Sequence, residues 1–369
     1  MKRIHSFVLT GGPSGGKTSG LSIIEQELGN RGYYVLVVPE TATELIPTGI
    51  RPFGNSLSNL DFQHVLLEKQ LFKEKLYRNT ANLYIPSNDI VILHDRGIID
   101  NKSYMTPGEF QTLLYQFGMN EVSARDRYDA VFHLVTAADG AEEFYTLENN
   151  VARTETPEQA RQLDRKGIAN WTGHTHLRVI DNSTDFKRKM SRLMNEVYSA
   201  LGEPVPIEIE RKYLVQKPDL NVLSKYVDIT TVDIVQTYLT SSNGKERRIR
   251  QRGQNGNFSY YITEKQETSG IERPEVEKKI SEKDYLRYLS QIDSSLSPIV
   301  KKRVCFVYKA QYFELDIFNF STDYALMEIE LTDKTNIVNL PTFINVLKEV
   351  TDDPQYRNHK LAKTQAFPV

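Results

Sequence analysis

Gly11-Gly12-Pro13-Ser14-Gly15-Gly16-Lys17-Thr18 decides the reading of the first half of this chain. It fits G-x-x-x-x-G-K-[ST] and stands between an apolar run, Ile4–Thr10, and a helical stretch, Thr18–Arg31. The order has a chemical reason. Glycines let backbone N–H groups curl around phosphate oxygens, and the helix that follows adds the positive end of its dipole. Lys17 is placed to reach the terminal phosphates, and the Thr18 hydroxyl to ligate Mg²⁺. A loop of this kind between strand and helix predicts a nucleotide-binding α/β layer structure.

Working outward, short Val/Ile/Leu/Phe-rich runs alternate with helical stretches as far as residue 200, the pattern of an α/β fold. Strands are expected at Ile4–Thr10, Tyr34–Pro39, Ile90–His94, Ala130–Val135 and Leu177–Ile180. Their near-continuous apolar content predicts a parallel sheet with helices on both faces. Helices are expected at Thr18–Arg31, Phe62–Tyr77 and about Thr184–Leu201. Gly202-Glu203-Pro204-Val205-Pro206 reads as a linker, which sets domains at 1–202 and 203–369. A chain of 369 residues suits two domains. The net charge of −2 supplies no global field for nucleic acid or an anionic membrane. The single cysteine, Cys305, excludes an intramolecular disulfide, and with no secretory or membrane-length apolar run the expectation is a cytoplasmic protein.

Asp95 closes the run Ile90-Val91-Ile92-Leu93-His94, at the strand end where parallel sheets bind ligands. It is a candidate base toward a substrate hydroxyl, or a partner of Mg²⁺. Asp95-Arg96-Gly97 resembles the Asp-Arg motif of nucleoside and nucleotide kinases. Arg153, Arg161 and Arg165 are candidate lid arginines for a transferring phosphate, with a solvated helix face as the alternative. Glu40 and Glu44 are candidates for an acceptor site, or a helix N-terminal acidic pair. Taken with Pro39-Glu40-Thr41-Ala42, Asp61-Phe62-Gln63 and Ile180-Asp181-Asn182, these motifs resemble the AAA-type P-loop family that contains the nicotinamide riboside kinase domain of NadR. The resemblance spans residues 1–200 and implies a kinase-like core with Asp181 and Asn182 near the base of ATP or GTP.

After Pro206 the period changes to two, with turn signals at Ser242-Asn243-Gly244 and Asn255-Gly256, which predicts antiparallel β structure. Strands are expected at Ile207–Val215, Val232–Thr240, Arg247–Arg252, Phe258–Lys265, Ile299–Ala310, Gln311–Phe318 and Ala325–Leu331. Many alternating positions are charged. Glu208, Glu210 and Lys212 share one face, as do Arg248 with Arg250, Thr263 with Lys265, Glu275 with Glu277, Lys301 with Arg303, and Glu328 with Glu330. Either that face meets solvent, or it lines a polar lumen in which bases hold phosphate oxygens and acids hold hard cations. The succession E-x-E-x-K, R-x-R, T-x-K, E-x-E, K-x-R, Leu-Asp and E-I-E resembles the CYTH, or triphosphate tunnel metalloenzyme, superfamily over residues 206–365. That resemblance implies an eight-stranded antiparallel tunnel. It makes Glu208, Glu210, Glu328 and Glu330 metal-ligand candidates for Mg²⁺ or Mn²⁺. It gives the triphosphate to Lys212, Arg248, Arg250, Lys265, Lys301 and Arg303. Asp316, Glu275 and Glu277 would then support the metal or the attacking water.

With both modules in this order, and Thr154-Glu155-Thr156-Pro157 and Trp171-Thr172-Gly173-His174 between them, the chain resembles the TRPL translocation defect family, linked to GTP and phosphatidic acid. The expected partners are a nucleoside triphosphate and an inorganic or organic triphosphate, with peripheral lipid contact implied by that family alone. The preferred reading is a bifunctional protein: triphosphate hydrolysis in the second half, ATP or GTP binding with kinase-like chemistry in the first. The alternatives are a nucleotide-dependent binding switch and a nucleotide cyclase. The seven histidines show no metal-ligand spacing, Trp171 is read as packing, and no pattern sets an oligomeric state.

Overall fold

The apolar runs of the first half pair side by side in parallel. In the computed structural model, which describes residues 3–52, 57–84, 88–145, 156–203, 209–241, 245–266, 275–332 and 335–368, the chain divides into two units, Met1–Ala200 and Leu201–Val369. The first contains β1 (Ile4–Gly11), α1 (Lys17–Asn30), β2 (Tyr34–Val38), α2 (Thr41–Leu45), α3 (Asn59–Leu83), β3 (Ile90–Asp95), α4 (Pro107–Gln116), α5 (Glu121–Arg125), β4 (Ala130–Leu134), α6 (Pro157–Trp171), β5 (Leu177–Ile180) and α7 (Phe186–Leu201). The strand order is β2-β3-β1-β4-β5, all parallel. Phe7, Val8 and Leu9 of β1 and Ile90, Val91 and Leu93 of β3 are fully buried, as strands covered on both faces require. Because β1 lies between β3 and β4, the loop after β1 opens where the connections diverge to opposite sides, the crevice in which such sheets bind ligands. Leu9 pairs with Asp95, so the glycine-rich loop and Asp95 emerge at the same sheet edge.

Helix α3 starts before the expected Phe62 because Ser58 caps it, accepting from Asp61 N–H at 3.1 Å, and it continues to Leu83. Helices α4 and α6 begin alike, with Thr106 or Thr156 as cap and proline at the first helical position.

The second unit contains β6 (Ile209–Gln216), α8 (Leu220–Leu223), β7 (Ile229–Leu239), β8 (Lys245–Gln254), β9 (Asn257–Gln266), β10 (Glu275–Ile280), α9 (Glu282–Tyr288), β11 (Ile299–Tyr308), β12 (Gln311–Phe318), β13 (Tyr324–Leu331), β14 (Val346–Glu349) and α10 (Asn358–Thr364). One antiparallel sheet takes the order β10-β9-β8-β7-β11-β12-β13-β6-β14. Among the described residues it has nine strands, where the tunnel resemblance implied eight. The additional one, β14, is too short and too polar to announce itself in sequence, and it joins β6 through a bulge between Val346 and Lys348. Between β8 and β9, Asn255 (φ 51°) and Gly256 (φ 77°) form the tight turn that the Asn-Gly pair predicts.

The two faces of this sheet differ sharply. Tyr213, Val304, Phe306, Phe313, Leu315, Met327 and Ile329 point one way into an apolar core with Leu223 of α8, Phe343 and Ile344. Their sequence neighbours Lys212, Arg303, Glu314, Asp316 and Glu328 point the other way. Covering one face with apolar packing forces the charged positions onto the opposite face by parity alone.

Candidate functional site

A cavity of about 900 Å³ in the first unit is lined by Gly11, Gly12, Pro13, Ser14, Gly15, Gly16, Lys17 and Thr18, and by Glu40, Gln63, Asp95, Arg96 and Asn101. Lys17 Nζ donates to the carbonyl oxygens of Gly11 (3.1 Å) and Gly12 (3.3 Å). Asp95 is half-buried, and its Oδ1 is enclosed with no hydrogen-bond partner. Burial, and then the Glu40 carboxylate, push the Asp95 carboxyl up to about 6, against the pull of Lys17 and Arg96. Arg96 holds a left-handed backbone conformation (φ 68°) and donates from Nε to Glu40 Oε1 at 2.6 Å. Burial would raise the Glu40 carboxyl, but Arg96 and Lys17 hold it below its usual range. The cavity thus sets a carboxyl with a raised proton affinity beside a lysine and a guanidinium, the groups that phosphoryl transfer needs at a reacting hydroxyl.

Glu44 does not line this cavity. Lys69 and Lys73 both hold it at 2.8 Å. Arg153 lies outside the described residues. Arg161 and Arg165, expected as lid arginines, bind Glu158 instead, at 3.1 Å and 3.3 Å, and neither lines the cavity. Asp181 accepts from Arg192 Nη1 at 2.7 Å, and Asn182 donates to the carbonyls of Thr136 (2.7 Å) and Asp139 (2.6 Å); both stand outside the cavity lining.

Sequence reading missed the groups that brace the loop. Asp164 of α6 is buried, and its Oδ1 accepts from Gly12 N–H (2.8 Å) and Thr136 N–H (3.2 Å) and contacts His133 Nε2 (2.9 Å). Burial would raise this carboxyl, but His133 together with the Gly12 and Thr136 N–H groups keeps Asp164 below the usual carboxylate range. Asp100 accepts from Thr10 Oγ1 (2.5 Å), Gly97 N–H (2.8 Å) and the indole of Trp171 (3.2 Å), which makes Trp171 a buried structural residue. These carboxylates carry no motif; only the fold brings them under the loop.

In the second unit a cavity of about 870 Å³ lies on the charged face of the sheet, lined by Glu210, Lys212, Arg248, Arg250, Lys301, Arg303, Glu314, Glu328 and Glu330, among others. Arg303 Nε and Nη2 form a bidentate pair with Asp316, both at 2.7 Å, and Nη2 reaches Glu328 at 3.0 Å. Lys301 also donates to Asp316, and Arg303 Nη1 to Glu314. Lys212 Nζ meets Glu328 at 2.9 Å and Glu210 at 3.3 Å. Arg250 Nη2 donates to Glu277 at 2.5 Å, and Thr263 Oγ1 to the same carboxylate at 3.1 Å. Burial would raise the Glu328 carboxyl, but Lys212, Lys301 and Arg303 hold it well below the usual range. Burial raises Glu314, only partly offset by Arg303.

Most of the expected tunnel residues therefore converge. Asp316 is the exception in kind: fully buried and outside the cavity lining, it anchors two bases from behind. Glu277 likewise fixes Arg250. Glu208 lies outside the described residues, as do the side chains of Lys265 and Glu275 on their strands. Glu314, which the sequence reading passed over, lines the cavity; its E-x-D parity with Asp316 was the available signal.

Among the described residues no group of three or more His, Cys, Asp or Glu is arranged to hold a metal by itself. Glu210 and Glu330 do sit directly opposite each other across β6 and β13, while Glu328 is drawn to Lys212 and Arg303. Two facing carboxylates fit Mg²⁺, which takes one or two protein carboxylates and completes its shell with phosphate oxygens and water.

A glycine-rich loop between the first strand and helix of a parallel sheet defines a P-loop nucleotide-binding domain, and an antiparallel sheet with one charged, cavity-lining face defines the second unit. Residues 6–189 match the model of the AAA domain and residues 206–342 that of the CYTH domain, so the chain joins an AAA domain to a CYTH domain. Similar solved structures include the inorganic triphosphatase NE1496, 28% identical over 42% of this chain and 95% of that one, with a TM-score of 0.31. A protein of Pyrococcus horikoshii OT3 is 18% identical over 35% of this chain and 80% of its own, with a TM-score of 0.26. Deoxyadenosine kinase from M. mycoides with bound dATP is 16% identical over 53% of this chain and 100% of its own, with a TM-score of 0.36. No curated protein matches the chain. Among the described residues no helix is long and apolar enough to cross a membrane.

Asp316→Asn leaves the buried Lys301 without its counter-charge and strips Arg303 of its bidentate partner, and is expected to cost the second unit about 3–5 kcal/mol in chemical denaturation. Glu330→Gln, at an exposed position, is expected to stay within about 0.5 kcal/mol. Equal losses would refute the distinction. Since the Glu328 carboxyl is lower in the folded than in the unfolded chain, its contribution is complete above about pH 4.3 and disappears as pH falls toward the folded value. Glu328→Gln should therefore flatten the acid limb of a stability–pH curve, and an unchanged limb would contradict the assignment.

Proposed function

We propose that the CYTH unit hydrolyses a triphosphate, inorganic or nucleoside-borne, with Mg²⁺ or Mn²⁺. The AAA unit, in the same reading, binds ATP or GTP and phosphorylates a small nucleoside-like acceptor. The observation that carries the first half is the convergence of Lys212, Arg248, Arg250, Lys301 and Arg303 with Glu210, Glu314, Glu328 and Glu330 on one cavity of about 870 Å³. Five bases on three strands suit an extended polyanion, which a single phosphate would not fill.

The bases bind phosphate oxygens, and those that now face carboxylates exchange one anion for another when the substrate enters. Glu210 and Glu330, with Glu208 and Glu328 beside them in sequence parity, would hold the cation; when bound, it neutralises charge on the triphosphate. Water oxygen attacks the terminal phosphorus, the bridging P–O bond breaks, and phosphate leaves a diphosphate behind. Glu314, its proton affinity raised by burial, is placed to take the proton that the water loses. In the AAA unit, the loop N–H groups and Lys17 bind the nucleotide phosphates, Thr18 and Asp95 would hold Mg²⁺, and Asp95 accepts the proton of the acceptor hydroxyl.

Phosphate release from tripolyphosphate, ATP and GTP with Mg²⁺ or Mn²⁺ tests this reading. Arg250→Ala is expected to lower tripolyphosphate cleavage roughly a hundredfold, while Lys17→Ala leaves it unchanged. No release from any substrate, together with Lys17-dependent nucleotide binding, would overturn hydrolysis and favour a nucleotide-dependent switch. Cyclic nucleotide with diphosphate as product would favour a cyclase.

A further inference from the structure

Helix α7 places a buried ammonium beneath the phosphate-binding loop. Lys189 is 3% exposed, does not line the cavity, and donates to the carbonyls of Gly15 (3.1 Å) and Val135 (2.8 Å) and to Asn182 Oδ1 (2.7 Å). A trans peptide points its C=O and N–H in opposite directions. Holding the Gly15 carbonyl from below therefore aims the Gly16 N–H away from Lys189. Holding the Val135 carbonyl in the same way aims the Thr136 N–H, which Asp164 accepts at 3.2 Å. Asn182 extends the grip, because its Nδ2 donates to the carbonyls of Thr136 and Asp139. One lysine thus ties the loop after β1 to the segments after β4 and β5. An ordinary core position would hold a methionine here at no desolvation cost; a buried charge persists where its hydrogen bonds specify a geometry.

We propose that Lys189 is a positioning residue for nucleotide binding: it fixes the Gly15–Gly16 peptide with its N–H toward the phosphates and locks the Asn182 segment to the same loop. The proposal rests on the nucleotide-binding reading of the AAA unit. The charged groups facing the ammonium are Asp164 of α6, Asp181 after β5 and Arg192 of α7, with His133 of β4 behind Asp164. Burial lowers Lys189 to about 8, against the pull of Asp164 and Asp181. Both carboxylates are held below their usual range and stay charged in neutral and alkaline solution. Loss of the proton removes the donor to one of the three acceptors and the charge that holds the others, so the brace loosens as pH rises through that value.

The test measures binding of a fluorescent ADP with Mg²⁺ to the full chain from about pH 7 to about pH 9. Only binding abolished by Lys17→Ala is counted. In the wild type, affinity should fall about tenfold over this range, because about a tenth of Lys189 stays charged one unit above its midpoint. Lys189→Met should bind about tenfold more weakly at neutral pH and show no such slope. Asn182→Ala, which removes one acceptor, should fall between the two. A folded Lys189→Met protein that binds like wild type, or keeps its slope, overturns the proposal. If that variant does not fold, a flat wild-type profile or an unaffected Asn182→Ala protein overturns it equally. Absence of any Lys17-dependent binding would overturn the nucleotide reading itself, and the proposal with it.

Discussion

Arg303 against Asp316 is the interaction on which the second unit depends. A fully buried carboxylate is tolerated only if cations meet it with good geometry, and here a bidentate guanidinium and the Lys301 ammonium do so. From that fixed point the rest of the charged face follows. Arg303 reaches on to Glu314 and Glu328, Glu328 holds Lys212, and Lys212 holds Glu210. Lys212, Lys301 and Arg303 are each oriented by an acid on a neighbouring strand, so this part of the cavity wall is organised before any ligand arrives. Pre-positioned cations lose little freedom on binding a polyanion, which is the usual source of tight phosphate recognition.

The same constraint works at smaller scale in the first unit. Buried charges lie behind the phosphate-binding loop, not in it: Asp164 takes amide hydrogens, Lys189 takes carbonyl oxygens, and both belong to helices that follow the loop by more than a hundred residues. On the open side, Asp95 keeps an unpartnered oxygen beside Lys17 and Arg96. The division is physical. Satisfied polar groups make the loop rigid, and an unsatisfied one marks where a ligand is to come.

The sites were legible in unequal measure. The loop from Gly11 to Thr18 and the strand-end Asp95 were visible because their chemistry requires contiguous residues at fixed spacing. The charged parity of β6, β8, β11 and β13 was visible because strands alternate with period two. The assignment of individual roles was less so. Asp316 reads in sequence like any acid of the lumen, yet lies behind the wall; Arg161 and Arg165 read as lid arginines, yet turn to Glu158 one or two helical turns away. Local partners compete for a flexible guanidinium, and spacing does not say which one prevails.

The sequence by itself determined the two architectures and the glycine-rich loop and charged strand parity from which the two cavities are built, and it set an expected linker between the two halves. Each of these is written in short-range pattern: apolar runs against period two, a glycine-rich loop, and proline and glycine after a long helix. Tertiary structure alone decided which acids face solvent, ligand or base, and which distant residues brace the loop. Asp164 and Lys189 stand out in no local window, because a buried charge is tolerated or excluded by partners that the chain brings to it only on folding.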